Sequence, residues 1–367
     1  MALFGKGSKR GANRDVLETP QYGWIWKPLI GLFVIYLLVC VGLGIYWSSE
    51  PDEFNIDQAT RTELARVHGL AAPVAKVEGE EPAPAFETLP TGTATVATLM
   101  KLNDTLLHKP GGYLKNDVAP PGLMLDNMPN WEYGVLVQVR DMTRELRKEF
   151  SRSQSQSSDD KALGKAESLL FIDANAWMLP EAEHEYADAN RELGDYLKRL
   201  SDDTQNNGQF YARADNLVAW LSDVENRLGS LSQRLSASVG KSQLNLSLAG
   251  DKSATSAKST QTEEEIKTPW LEIDDVFYQA RGTSWALIHL LKAVRHDFQG
   301  VLEDKNALTS IDQIIRELEA TQTDIGSPII LNGSGFGFFA NHSLVMANYV
   351  ARANSAISDL RSLLEKG

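Results

Sequence analysis

The sequence predicts an all-α fold: one N-terminal transmembrane helix followed by a helical-bundle body with long helices and a coiled-coil-like hairpin. Three observations carry this. Residues 28–47, PLIGLFVIYLLVCVGLGIYW, are twenty residues without a charge, long enough at ~1.5 Å rise each to cross a ~30 Å hydrocarbon core. In the rest of the chain, apolar residues recur at three- and four-residue spacing in one segment after another. Strand-like alternation is confined to Leu244, Leu246 and Leu248.

Residues 1–27 form a small basic tail, with five basic and two acidic residues. The apolar run that follows reads as a permanent anchor. It is longer than the ~7–15 residues of a cleavable signal and ends at Tyr46-Trp47-Ser48 rather than at small residues. Cys40 follows Val39 and is followed by more apolar residues, which rejects a lipoprotein site. Aromatic residues flank both ends (Tyr22, Trp24 and Trp26; Tyr46 and Trp47), with Lys27 before the run and Glu50, Asp52 and Glu53 after it. That asymmetry places the N-terminus in the cytoplasm and the body outside.

The 320 residues after Trp47 hold 31 basic and 47 acidic residues, a net charge of −16. So acidic a body repels nucleic acid, and no nucleic-acid partner is expected. The lone cysteine lies in the anchor, so the body has no disulfide and no thiol ligand.

Residues 48–92 read as a short amphipathic helix, Ile56 to Leu70, and a linker rich in Pro and Glu. A helical subdomain is expected over 93–239. Its first helix carries Val96, Leu99, Met100, Leu106 and Leu107 and stops at Lys109-Pro110-Gly111-Gly112. After a turn-rich connection, Asn130 is placed to cap a helix that starts at Trp131 and runs to Phe150. A third helix is expected from Asp159 to Met178, and a fourth from Pro180 to Asp203.

Phe210, Ala214, Leu217, Leu221, Val224, Leu228, Leu231 and Leu235 then keep one narrow seam over nearly four heptads. The seam meets either the preceding helix, through an Asn206-Asn207-Gly208 turn, or the same helix of a second copy, making a homo-oligomer through residues 210–235. Residues 240–262 read as a flexible linker. A second helical subdomain, 263–367, is expected to pack on the first. It has a long helix from Thr268 to Leu302, another from Ser310 to Thr321, a break over Gly326 to Ala340 and a final helix from Asn341 to Glu365.

No motif names a reaction. Glu181 and His184 make one Glu-x-x-His, but no second one completes a di-metal site, and Asp188 stands where a zinc protease needs its second histidine. A solvated acidic helix start is the simpler reading. His289 and His296, two turns apart, are ~10 Å apart along the axis, too far for one metal ion. They are expected to pair with a carboxylate or face solvent. Gly333-Ser334-Gly335-Phe336-Gly337 fits neither a dinucleotide fingerprint, a P-loop nor a nucleophile elbow, and Ser158-x-x-Lys161 lacks the partner motifs of a penicillin-binding site. No catalytic residue, metal ligand or cofactor is expected.

Two long irregular segments remain, 117–131 and 332–342. Either Met124, Leu125, Met128, Trp131, Phe336, Phe338 and Phe339 fill the core, or the segments meet and frame one groove. In the second case the binding residues are Asp126, Asn127, Asn130, Trp131, Phe336 and Asn341.

Gly111-Gly112-Tyr113-Leu114, the Pro-Pro-Gly turn, and Leu125-Asp126-Asn127-Met128-Pro129-Asn130-Trp131-Glu132-Tyr133-Gly134 running into Val137-Gln138-Val139-Arg140-Asp141 resemble a family of uncharacterised proteobacterial inner-membrane proteins, a domain of unknown function. The resemblance covers nearly the whole chain and implies a single-pass protein of the bacterial inner membrane with a periplasmic body. It implies no activity. The reading that follows is a non-catalytic envelope interaction or scaffold protein with an envelope protein or cell-wall partner. The alternatives are an enzyme acting on envelope polymers with Asp126 and Glu132 as acid and base, and a small-ligand binder with an enclosed apolar pocket.

Overall fold

The computed structural model describes residues 23–70, 89–153, 159–202, 207–244, 263–327, 329–334 and 337–366. Helix α1 (Gly23–Trp47) begins more than a turn before the charge-free run, so Trp24, Trp26 and Lys27 lie on the helix itself. Between Leu29 and Ile45 its side chains are exposed except at Cys40 and Gly44. Residues Trp26–Trp47 are long and apolar enough to cross a membrane, and the body leaves them free of protein contact over most of that length.

The body grips the end of α1. Trp47 packs against Gly111, where a Cβ would come within 2.7 Å of the indole ring and where φ is +86°, so only glycine suits the position. Leu125 packs against Gly44. The next residues form a strap along the body. Glu50 accepts two hydrogen bonds from the Arg281 Nε (2.8 and 2.9 Å) and a third from its Nη2 (2.7 Å). Glu53 pairs with Lys292 at 3.0 Å. The Phe54 amide donates to His289 Nε2 at 3.0 Å while the Phe54 ring stacks on the imidazole, 3.9 Å between centroids.

Helix α2 (Ile56–Val67), capped by Asn55, packs against the body and is not left as a free stalk. The Pro- and Glu-rich linker falls mostly outside the described residues. The long helices then alternate in direction, away from and back toward the end where α1 attaches: α3 (Thr93–His108), α4 (Asn127–Glu145), α5 (Lys161–Leu170), α6 (Ala182–Leu200), α7 (Ala214–Ser236), α8 (Ile273–Asp297), α10 (Leu308–Glu319) and α11 (His342–Glu365). Helix α9 (Gln299–Asp304) is a short connection. A two-stranded antiparallel ribbon, β1 (Lys241–Leu244) and β2 (Glu263–Ile266), closes the α7–α8 connection. Leu246 and Leu248 lie outside the described residues. The fold is an all-α bundle, as the periodicity predicts.

At its centre α4 and α8 run parallel and cross in close contact. A Cβ at Gly282 would overlap the Trp131 carbonyl, and one at Gly134 would overlap the Gln279 carbonyl. Trp131 and Trp285 lie beside the crossing, 5.1 Å between ring centroids, both buried. One apolar cluster joins helices from both sides of the 240–262 segment.

Four details differ from the sequence reading. Helix α4 starts at Asn127 under an Asp126 cap, and Pro129 falls in its first turn, where the missing N–H has no intrahelical partner to lose. Helix α5 ends at Leu170, eight residues early. The Arg140 guanidinium takes the Leu170 and Ile172 carbonyls at 2.6 Å, and the Asp173 carboxylate accepts from the Asn175 amide at 3.0 Å, which turns the chain. The long 268–302 helix is broken at Phe298. The α7 seam meets a helix of its own chain, but the partner is α11 rather than α6. Ser232 donates to the Ala347 carbonyl at 3.3 Å and Glu225 pairs with Arg361, which fixes the two as antiparallel.

Candidate functional site

The two irregular segments lead to different places. Asp126 accepts from the Asn127 amide at 2.9 Å. Asn130 donates to Asp275 of α8 at 2.7 Å. Burial, then Asp126 and Asp274 beside it, hold the Asp275 carboxyl above its usual range. Trp131 is fully buried in the core. Asn341 caps α11, accepting from the Leu344 amide at 2.8 Å and donating to the Gly333 carbonyl at 2.6 Å, so it ties its own loop shut. Phe336 lies outside the described residues. Of the side chains expected in the core, Met128 and Trp131 are there, whereas Met124, Phe338 and Phe339 stand in solvent.

Glu132 is sealed inside. It accepts from the Leu114 and Lys115 amides at 2.8–3.1 Å and pairs with Lys109 at 2.5 Å, both side chains buried. Burial pushes its carboxyl up to about 7 against the opposing pull of Lys109. Its hydrogen bonds hold the 109–115 turn on which Trp47 rests. Glu132 has no exposed surface, whereas Asp126 is exposed. His289 is likewise a core histidine, with Nδ1 on the Trp285 carbonyl at 2.7 Å, while His296 lies 3.4 Å from Asp297. His184 is exposed at the start of α6, 3.8 Å from Asp188.

A concavity of about 790 Å3 lies elsewhere, between α4, α7 and α8. Five cationic side chains line it, Lys115, Arg140, Arg144, Arg227 and Arg234, against two carboxylates, Asp173 and Asp223. Arg227 and Arg144 share buried Asp141 at 2.9–3.2 Å, and Arg144 reaches Asp223 at 2.7 Å. Among the described residues, Lys115, Arg140 and Arg234 have no carboxylate within ion-pair distance. Arg140 is held by carbonyls, Arg234 by the Gln279 amide oxygen at 2.8 Å, and the Lys115 ammonium lies 5.4 Å from the centroid of the Tyr133 ring. Buried Gln138 borders the groove with its amide nitrogen unpartnered. A cluster of donors with surplus positive charge, in a body whose net charge is −16, makes this groove attractive to anions.

A family model described as an uncharacterized protein conserved in bacteria (DUF2333) matches residues 19–367. The chain belongs to this family. The DUF2333 match takes in α1, the strap and every wall of the groove, so α1 and the body are parts of one family unit. No curated protein and no solved structure matches the chain.

Sequence reasoning missed the groove because its cations come from three separate stretches, each reading alone as an ordinary solvated face. Among the described residues, Asn130 is the one predicted binding residue that lines it.

Proposed function

We propose that the chain is a single-pass bacterial inner-membrane protein, N-terminus cytoplasmic and body periplasmic, that acts without catalysis by capturing an anionic envelope partner in the groove between α4, α7 and α8. The surplus of cations in an acidic body carries this reading. The groove's few apolar side chains, Val137, Ala174 and Leu231, give little for an apolar small molecule to bury against. Its donors suit a solvated, charge-steered contact that weakens with salt.

A photo-crosslinking residue at exposed Ser230, in the full chain in cells, is expected to capture a partner. Reversing Lys115→Glu and Arg234→Glu together should abolish capture at unchanged thermal stability, because neither side chain carries an ion pair. Capture that survives the reversal overturns the groove as the site. A reporter fused after Gly367 is expected to be active only outside the cytoplasm; activity confined to the cytoplasm overturns the topology.

A further inference from the structure

Six of the large apolar side chains that the body leaves in solvent gather at one end. Leu123 and Met124 are exposed in the loop before α4, Trp270 and Leu271 in the turn before α8, and Phe338 and Phe339 in the loop before α11, where Phe338 is 98% exposed. These loops open three helices that run away from α1, and contacts tie them together. Leu125, next to Met124, touches Gly44 of α1. Asn130 of α4 bonds to Asp275 of α8, and Phe277 of α8 meets the His342 ring of α11, 6.4 Å between centroids. All three apolar pairs therefore lie at the end of the body from which α1 leaves.

The strap fixes their level. Glu50 binds Arg281 and Phe54 binds His289, so the chain climbs α8 as it leaves the membrane-crossing helix. Moving back from Arg281 to Ile273 descends ~12 Å of helix, toward the level of Trp47. Trp270 and Leu271 lie just below Ile273 in the chain.

We propose that Leu123, Met124, Trp270, Leu271, Phe338 and Phe339 form a rim that enters the lipid interface around α1, so that the body sits on the bilayer rather than standing above it. The occupant is lipid because the rim is continuous with a helix whose free apolar surface already calls for lipid. Aromatic and large aliphatic residues are the types that partition to this depth. Asp126, Asp274 and Asp275 set a floor: they stand just inside the rim, and their carboxylates stop it at the headgroups. This placement rests on reading α1 as membrane-spanning, and the test separates the two.

The full chain with Cys40→Ser is spin-labelled at one introduced cysteine and reconstituted in vesicles of phosphatidylethanolamine and phosphatidylglycerol. The sites are Ile35 in α1, Met124, Trp270 and Phe338 in the rim, and Asn306 at the opposite end. Oxygen and a water-soluble nickel chelate serve as paramagnetic probes. The expected result is oxygen-dominated relaxation at Ile35 and the three rim sites, and chelate-dominated relaxation at Asn306. A lipid-buried Ile35 label with chelate-exposed rim labels overturns the rim and leaves the anchor standing. A chelate-exposed Ile35 label overturns both. Rim labels shielded from both probes mean protein cover, a second copy or another partner, and also overturn the lipid assignment.

Discussion

The two ends of the bundle treat the same residue types in opposite ways. At the end far from α1, Phe150, Phe210 and Phe298 close on one another, with centroids 5.3–5.7 Å apart. The chain around them is charged: Arg199 pairs with Asp160, and Arg147 and Arg152 pair with Asp159. At the near end, Phe338 and Phe339 pack on each other, 5.6 Å between centroids, and face outward. A bundle surrounded only by water gains by turning aromatic rings in at both ends. On the proposed placement the asymmetry matches two surroundings, lipid at the end where α1 leaves and water at the other.

The sharpest way to break this comparison is to delete rings at each end. Phe298→Ala empties a closed cluster and should destabilise the folded body by about 4 kcal/mol, read as a lowered melting temperature of the full chain in detergent. Lys109→Met comes next. It strands the buried Glu132 carboxylate beneath the turn that holds Trp47, for a loss of about 3 kcal/mol. Lys109→Met with Glu132→Gln, which removes the stranded charge but keeps an amide oxygen for the Leu114 and Lys115 N–H groups, should recover part of that loss, which separates the missing partner from a mere packing defect.

Acidification should act through His289. Burial first, then Lys292, holds its imidazole down to about 4, so it stays neutral in the fold while the unfolded chain takes up a proton near ~6.5. Stability from this group is intact above pH ~6.5 and drains as pH falls toward 4, by at most about 3 kcal/mol. Protonation also ends the acceptance of the Phe54 N–H, so the protection factor of that amide, taken against the intrinsic exchange rate at each pH, should fall as pH approaches 4 and stay level in His289→Asn. The smallest effect belongs to the near end: Phe338→Ala should change detergent melting by less than about 0.5 kcal/mol, since the ring is almost wholly exposed. Equal losses from Phe298→Ala and Phe338→Ala would erase the contrast between the ends.

Periodicity made the class of fold legible. The Leu217 to Leu235 seam is buried as its spacing requires, and Asn341 caps the helix it was placed to open. What the sequence hid was tertiary. Helix α5 stops because Arg140, from a different helix, claims its last carbonyls, and no local signal near Leu170 announces that. The seam's partner is a helix more than a hundred residues away, whereas a short turn pointed to a neighbour. Among the described residues, Asn130 alone of the expected binding residues borders the groove, because charges from α4, α7 and the 109–126 loop become one surface only when α4 and α8 cross. Phe338 and Phe339 were expected inside on hydrophobicity, which cannot tell a core from a lipid.

The strap has a mechanical consequence. With Glu50, Glu53 and Phe54 all fixed to α8 within seven residues of Trp47, no swivel separates α1 from the body. Rotation of α1 about its own axis therefore carries the groove round with it like the needle on a spindle. A neighbouring helix that locks the azimuth of α1 also chooses the compass bearing of the groove.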